Sequence, residues 1–226
     1  PERALELSRE AVELAERAGD QMYISRGLTA LGHAQLVAGD AEGAAGSLRR
    51  VRELENGFGI TDPARGRWHG DLAEALVRTG ELDEAQQVVD ETRAHALRLG
   101  RESMLAVLDR AEALVRAARG EHDAALAQLT SAQDRLAKLG YGLEAARAAF
   151  AQAALHTGRP GSASYDEAAR LFRRCRRHHR YDVRDRRGHC RSHCHCRGHC
   201  GRRPAGYRWH PPVAPECPAR AATDPR

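Results

Sequence analysis

The residues best suited to chemistry lie in one short tract near the C-terminal end of the chain. Eight histidines and cysteines fall within residues 189–200 of the 226-residue sequence. They are His189, Cys190, His193, Cys194, His195, Cys196, His199 and Cys200. Zinc prefers such ligands, usually as two separated pairs around a small core. No apolar stretch separates or follows these cysteines. The eight residues are candidate zinc ligands. Because no apolar core accompanies them, we expect no specifically bound metal.

The same part of the chain is strongly basic. Residues 173–226 contain 15 Lys+Arg and 4 Asp+Glu, whereas residues 1–172 contain 21 and 27. Arginines interspersed with Tyr181, Tyr207 and Trp209 would bind nucleic-acid phosphates without sequence specificity.

A segment of this composition buries too little apolar surface to fold, so we predict a disordered basic tail over residues 176–226. Arg, His, Cys, Gly and Pro are also what a shifted reading of GC-rich codons yields. We hypothesise that this tail is a frameshifted C-terminus.

Residues 1–175 contain no comparable cluster of potential catalytic side chains. The five histidines there lie at unrelated helical phases, with no nucleophile or acid at motif spacing. They are His33, His69, His95, His122 and His156. No Gly-rich phosphate loop ending in Gly-Lys-Ser/Thr occurs in the sequence. We therefore expect a protein that is not an enzyme and binds no cofactor.

A repeated phrase organises residues 1–175. Its marker glycines are Gly39, Gly80, Gly120 and Gly158, at spacings of 41, 40 and 38 residues. A period of about 40 predicts an all-α stack of helical hairpins, each burying its apolar face against its neighbours. The alternative is an irregular helical bundle in which the repeat arises by chance.

The period also sets the expected helix bounds. A helix over residues 1–18 lacks a preceding partner, so the first hairpin is truncated. The predicted hairpins are 21–38 with 41–55, 64–79 with 82–99, 101–118 with 122–139, and 142–157 with 164–175.

Small residues recur where the two helices of a hairpin should approach most closely. Ala44, Ala85 and Ala125 each lie five residues after a marker glycine. The residues expected to face them are Gly32, Ala73, Ala113 and Ala151. We also expect Phe58 and Ile60, in the loop over residues 56–63, to pack into the array.

These small residues, with a large apolar residue four positions later, resemble the tetratricopeptide repeat. Residues 62–172 resemble more specifically the helical region of large ATP-binding LuxR-family (MalT-like, STAND-type) transcriptional regulators. The matching segments include Thr61–Pro63 with Trp68, then residues 71–77, 80–85, 119–126 and 139–147.

In that family the array joins a nucleotide-binding ATPase module to a C-terminal helix-turn-helix. The resemblance implies a sensor or coupling array that binds an effector, another domain or a partner protein. Neither flanking module occurs in this sequence, so ATP and DNA contacts would belong to missing parts of a parent protein.

The first helix of each hairpin should line the inner, concave surface of such an array. Helical phase places eight polar residues there: Arg26, His33, Arg67, Glu74, Arg78, Arg110, Gln152 and His156. Arginines on that surface would suit an acidic peptide or a small anionic effector. The alternative is that they are ordinary solvated faces of helices.

Two functions remain open. The first is a non-catalytic array that binds a protein or an effector within a bacterial transcriptional regulator. The second is a free-standing tetratricopeptide adaptor whose Cys/His/Arg tail binds zinc or nucleic acid. No apolar run approaches the ~20 residues that cross a bilayer, and no signal peptide is evident. We therefore expect a cytoplasmic protein that does not contact membranes.

Overall fold

The structure, a computed structural model, describes residues 2–156, which form eight helices and no strand. The helices are α1 (Glu2–Ala18), α2 (Gln21–Ala38), α3 (Ala41–Gly57), α4 (His69–Thr79), α5 (Leu82–Arg98), α6 (Glu102–Ala118), α7 (His122–Lys138) and α8 (Gly142–His156). The all-α helical repeat expected from the period is confirmed. The predicted helix over 164–175 and the tail over 176–226 lie outside the described residues.

The helices form an inner and an outer layer. Each helix packs against the next one in the chain, and α2, α4, α6 and α8 also pack in succession against one another. Within residues 2–156, the outer helices α3, α5 and α7 make no comparable contacts among themselves. The inner layer is therefore formed by the first helix of each hairpin, and any concave surface must be built from it.

Three of the marker glycines, Gly39, Gly80 and Gly120, follow the ends of inner helices as the phrase predicts, and the fourth, Gly158, lies outside the described residues. Gly39 has a φ of 89°, a left-handed conformation that a residue without a Cβ adopts at little cost. The next residue, Asp40, caps α3: its side chain accepts a hydrogen bond from the Gly43 N–H at 2.9 Å. A Gly-Asp pair thus ends one helix and caps the next.

Small residues lie at the close approaches between paired helices. Ala44, Ala73, Ala85, Ala113 and Ala125 are all fully buried. In the first hairpin, a Cβ added to Gly32 would lie 2.5 Å from the Cγ atom of Leu48. The packing predicted from the repeat is confirmed in these hairpins.

The register of α8 differs from the one assumed for the fourth repeat. Ala153 is almost fully buried, whereas Ala151 is partly buried and packs against the cluster that contains Ala113 and Ala125. The helix over 164–175 that Ala151 was predicted to face lies outside the described residues. Ala153 lies 40 residues after Ala113, so α8 keeps the period of the preceding repeats. Gly158, used as the fourth marker, is two residues short of that register.

The loop before α4 also differs from the prediction. The helix begins at His69, not at about residue 64, because Arg67 has a φ of 57°, which an α-helix cannot contain. Contrary to the expectation, Phe58 is 39% exposed and does not pack into the array. Trp68 does so instead: it is 4% exposed, and its Nε1–H donates to Glu55 Oε2 at 2.8 Å.

The hydrophobic core runs along the array. Leu48, Leu72, Leu76, Met104 and Leu108 are fully buried within one cluster that extends from α1 to α6. In residues 2–156, none of the helices combines the length and the apolar character needed to cross a membrane.

Candidate partner-binding groove

The inner layer carries a largely apolar cavity with a volume of about 550 Å³. We call it the apolar groove. Its apolar lining comes from all four inner helices and consists of Leu36, Val37, Val77, Leu114, Leu143, Phe150, Ala151, Ala154 and Leu155. Its charged or titratable lining consists of His33, Glu74, Arg78, Arg110 and Arg147.

A second cavity of about 330 Å³, the polar pocket, opens nearby on the same layer. Its lining includes Arg26, Arg67, Asp71 and Glu144, and it shares His33 and Arg147 with the apolar groove. These two shared residues lie where the two cavities adjoin.

Ionisable side chains from all four inner helices meet at this boundary. We call His33, Asp71, Glu74, Arg110, Glu144 and Arg147 the central ionic cluster. Arg147 Nη2 lies 2.6 Å from Asp71 Oδ1 and 2.7 Å from Glu74 Oε2. Arg110 Nη1 contacts the same Glu74 oxygen at 2.7 Å. The cluster therefore ties α4, α6 and α8 together across the floor of the groove.

The remaining contacts complete the cluster. His33 Nδ1 lies 2.9 Å from Asp71 Oδ2, which adds α2 to the network. Glu144 contacts Arg147 Nη1 at 3.2 Å and Arg110 Nε at 3.5 Å. Such buried charges are tolerable only when they are paired, because the interior solvates them poorly.

The pairing sets the protonation of the two carboxylates on α4. Burial raises the pKa of Asp71, but the charge of Arg147 and the contact with His33 outweigh it and hold that pKa well below its usual range. Burial opposes ionisation of Glu74 in the same way, yet Arg110 and Arg147 lower its pKa to about 2. Both carboxylates are therefore ionised at neutral pH.

The pKa values of two basic partners, Arg147 and His33, shift upward. Burial works to lower the pKa of Arg147, but Asp71, Glu144 and Glu74 raise it further above its usual value. The hydrogen bond to Asp71 raises the pKa of His33, against a smaller opposing effect of burial. His33 is the titratable member of the cluster nearest to neutral pH.

The eight residues predicted to line the concave surface fall in different places. Arg26 and Arg67 line the polar pocket, where the Arg67 guanidinium lies 4.5 Å from the centre of the Tyr141 ring. Arg78 lines the apolar groove with 43% of its side chain exposed. His33 lines both cavities, and Glu74 lines the apolar groove.

Arg110 also lines the apolar groove, but its side chain is only 2% exposed, because it is enclosed in the central ionic cluster. Two predicted residues line neither cavity. Gln152 donates to Gln133 Oε1 of α7 at 2.8 Å and therefore faces the outer layer. His156 is exposed at the end of α8 and lines neither cavity.

Sequence reasoning missed Asp71, Glu144 and Arg147. The signal that could have found Arg147 is the spacing of 40 residues between Gly100 and Gly140, which end α5 and α7. If the same spacing continues into α8, Arg147 occupies the position of Val107 and Phe150 occupies the position of Arg110. Arg147 and Phe150 both line the apolar groove.

A smaller cavity of about 180 Å³ lies beside the loop before α4, lined partly by Trp68 and His69. Their rings stack with centroids 3.8 Å apart. Burial lowers the pKa of His69 to about 3, so the ring is neutral. Within residues 2–156, no group of three or more His, Cys, Asp or Glu could hold a metal ion. The candidate zinc ligands over 189–200 lie outside the described residues.

Residues 35–98, from the end of α2 through α5, match a family model described as a tetratricopeptide repeat. The chain contains a tetratricopeptide-like region. This region supplies α4 and the end of α2 to the inner layer, and with them Asp71, Glu74 and Arg78. Tetratricopeptide arrays generally mediate protein–protein interactions and are typically non-catalytic. No curated protein matches the chain.

Proposed function

We propose that the tetratricopeptide-like array is a non-catalytic binding module that holds a segment of a partner protein in the apolar groove. The observation that carries this proposal is the exposure of large apolar side chains around the groove. Val37 is 65% exposed, Phe150 47% and Leu143 43%. Apolar side chains gathered at a concave surface favour a binding site.

The central ionic cluster favours binding over catalysis. A general acid or base works best when its pKa lies near the operating pH. Asp71 and Glu74 instead have pKa values far below neutrality, because buried arginines stabilise their charges. Asp71 and Glu74 thus fix the positions of the inner helices and are poorly suited to transfer protons.

We further propose that the array belongs to a cytoplasmic bacterial transcriptional regulator. The support is the resemblance of residues 62–172 to the helical region of large ATP-binding LuxR-family proteins, together with the tetratricopeptide match over residues 35–98. In this role the array would sense a signal and couple it to other domains of the parent protein. In this role the array itself needs no cofactor or zinc.

Site-specific photo-crosslinking tests the binding role. Benzoylphenylalanine at position 37 places a crosslinker in the groove, and the same residue at position 97 is a matched control, because Leu97 is 62% exposed on α5. We expect one protein to be crosslinked in bacterial cells from position 37 and not from position 97. Equal crosslinking from both positions, or none from position 37, would contradict a binding role for the groove.

The regulator context has a separate test. The coding sequence on both sides of this chain should encode a nucleotide-binding ATPase module upstream and a helix-turn-helix downstream. Genes for unrelated modules on both sides would refute the regulator assignment and leave the binding role untouched.

A further inference from the structure

The apolar groove has apolar walls above a charged floor. Val37 of α2 and Leu143 and Phe150 of α8 supply exposed apolar surface. The volume of about 550 Å³ lies in the range of pockets that enclose a compact ligand. An occupant that covers these walls must itself present apolar side chains.

The charged side chains at the floor of the groove are mostly arginines. Its described lining contains three arginines, Arg78, Arg110 and Arg147, but a single carboxylate, that of Glu74. All three arginines pair with Glu74, at 2.5 to 2.7 Å. Arg147 is also paired with Asp71 and Glu144, and Arg110 with Glu144, whereas within the described part of the chain Arg78 is paired with Glu74 only.

Arg78 is the arginine of the groove that has donors to spare. In the buried cluster both kinds of group are left over, because Arg110 Nε and Nη2 and the acceptor Glu144 Oε2 have no hydrogen-bond partner among residues 2–156. Arg78 donates from Nη1 to Leu36 O at 3.1 Å and from Nη2 to Glu74, and a guanidinium carries five N–H donors. Since Arg78 remains 43% exposed, it can donate to a group that enters the groove.

We infer, resting on the proposed function, that the occupant of the apolar groove is a protein segment in which an acidic side chain is flanked by apolar ones. The carboxylate accepts charge-assisted hydrogen bonds from Arg78. The flanking apolar side chains pack against Val37 on one side and Leu143 and Phe150 on the other. An amphipathic helix laid into the groove presents this combination on one face.

The polar pocket does not share this preference. Its lining includes two carboxylates of its own, Asp71 and Glu144, beside Arg26, Arg67 and Arg147. Asp71 and Glu144 both pair with Arg147. The apolar side chains of this lining are those of Ala30 and Val107, which are too few to cover the apolar residues that flank the acid. The acidic residue of the partner is therefore directed to the apolar groove.

Selection from a displayed library of random peptides, about 12 residues long, on the full chain tests the inference. Enriched peptides are then synthesised with a fluorophore, and their Kd is measured by anisotropy. We expect an acidic residue flanked by Leu, Ile or Phe. Replacing that acid by its amide should weaken binding about tenfold. Arg78→Gln should weaken it by a similar factor, and the two changes should not add, because they remove the same contact.

Matched variants separate this site from general surface effects. Val37→Asp should abolish binding, whereas Leu97→Asp should not. Arg98→Gln, on an exposed arginine of α5, should leave the Kd unchanged. Circular dichroism should show the same helicity for all four variants.

Three results would overturn the inference while the proposed function survives. These are enrichment of basic or wholly apolar peptides, additive effects of the acid-to-amide change and Arg78→Gln, or peptides that copy a stretch of this chain. Failure to enrich any peptide, or binding that Val37→Asp leaves intact, would count against the groove itself and hence against the proposed function.

Discussion

Arg147 Nη2 on α8 lies 2.6 Å from Asp71 Oδ1 on α4, although the two helices belong to different hairpins with α6 between them in the inner layer. Asp71 in turn contacts His33 of α2. A chain of polar contacts therefore spans the inner layer from the first described hairpin to the last. This relationship makes the shape of the groove depend on a few charged side chains.

Arg147→Ala should destabilise the array strongly. Removal of one partner from a buried ion pair leaves the other charge uncompensated, which costs about 3–5 kcal/mol. Here Asp71 and Glu74 would both lose a guanidinium. Urea unfolding followed by circular dichroism measures the free energy of unfolding. Arg98→Ala is the exposed control, with an expected change within about 0.5 kcal/mol. A loss below about 1 kcal/mol for Arg147→Ala would show that the cluster adds little stability.

Acid should weaken the array through the same cluster. The folded-state pKa of Glu74 is about 2, against an ordinary value of 4.5. Its contribution is complete above the ordinary value and is lost as the pH falls toward 2. Unfolding free energies measured between pH 6 and 3 should fall less steeply in Glu74→Gln than in the wild type. Glu53→Gln, at an exposed position of α3, should retain the wild-type slope. Parallel curves for Glu74→Gln and wild type would exclude Glu74 as a source of acid sensitivity.

His33 should contribute in the opposite pH direction. Because the contact with Asp71 raises the pKa of His33 above 6.5, the stabilisation is complete below pH 6.5. It disappears as the pH rises through the higher folded-state pKa. The stability difference between wild type and His33→Gln should therefore shrink from pH 5.5 to pH 9. The side chain is 42% exposed, so solvent screening limits the change to less than about 1 kcal/mol. A difference that grows with pH would contradict the assigned contact.

Gly70→Ala should disturb the contact between α4 and α6. The new Cβ would lie 2.7 Å from Val107 Cγ1, and overpacking of this kind costs about 1–3 kcal/mol. Gly46→Ala is the matched control within α3, where an added Cβ meets no atom within 4 Å. It should stabilise by about 0.5–1 kcal/mol, because alanine favours helix more than glycine does. Thermal unfolding of both variants should shift the midpoint in opposite directions. A raised midpoint for Gly70→Ala would show that α4 and α6 can move apart freely.

Most of the fold was predictable because local signals and the repeat agree. Gly39 and Asp40 set the end of one helix and the start of the next through backbone conformation and capping, which depend on neighbouring residues only. The small residues at Ala44, Ala85 and Ala125 repeat at the period of the hairpins. Each such position meets the same packing requirement, so one hairpin predicts the others.

The errors arose where a local marker was misleading. Gly158 suggested a spacing of 38 in the fourth repeat, and the two-residue slip turned Gln152 and His156 toward the predicted groove. On an α-helix, two residues correspond to more than half a turn, so the assigned face was nearly opposite to the true one. The start of α4 was placed too early for a related reason, because nothing in the sequence marks the left-handed conformation at Arg67.

The sequence by itself determined the period, the turn residues and the layer that each helix occupies, because these follow from backbone chemistry and repeated local packing. Only the tertiary structure decided which charges meet. Asp71, Glu74, Arg110 and Arg147 come from three helices, and their pairing depends on the separation and rotation of those helices. The same geometry buries Arg110, leaves Arg78 exposed in the groove, and thereby decides which arginine is free to meet a partner.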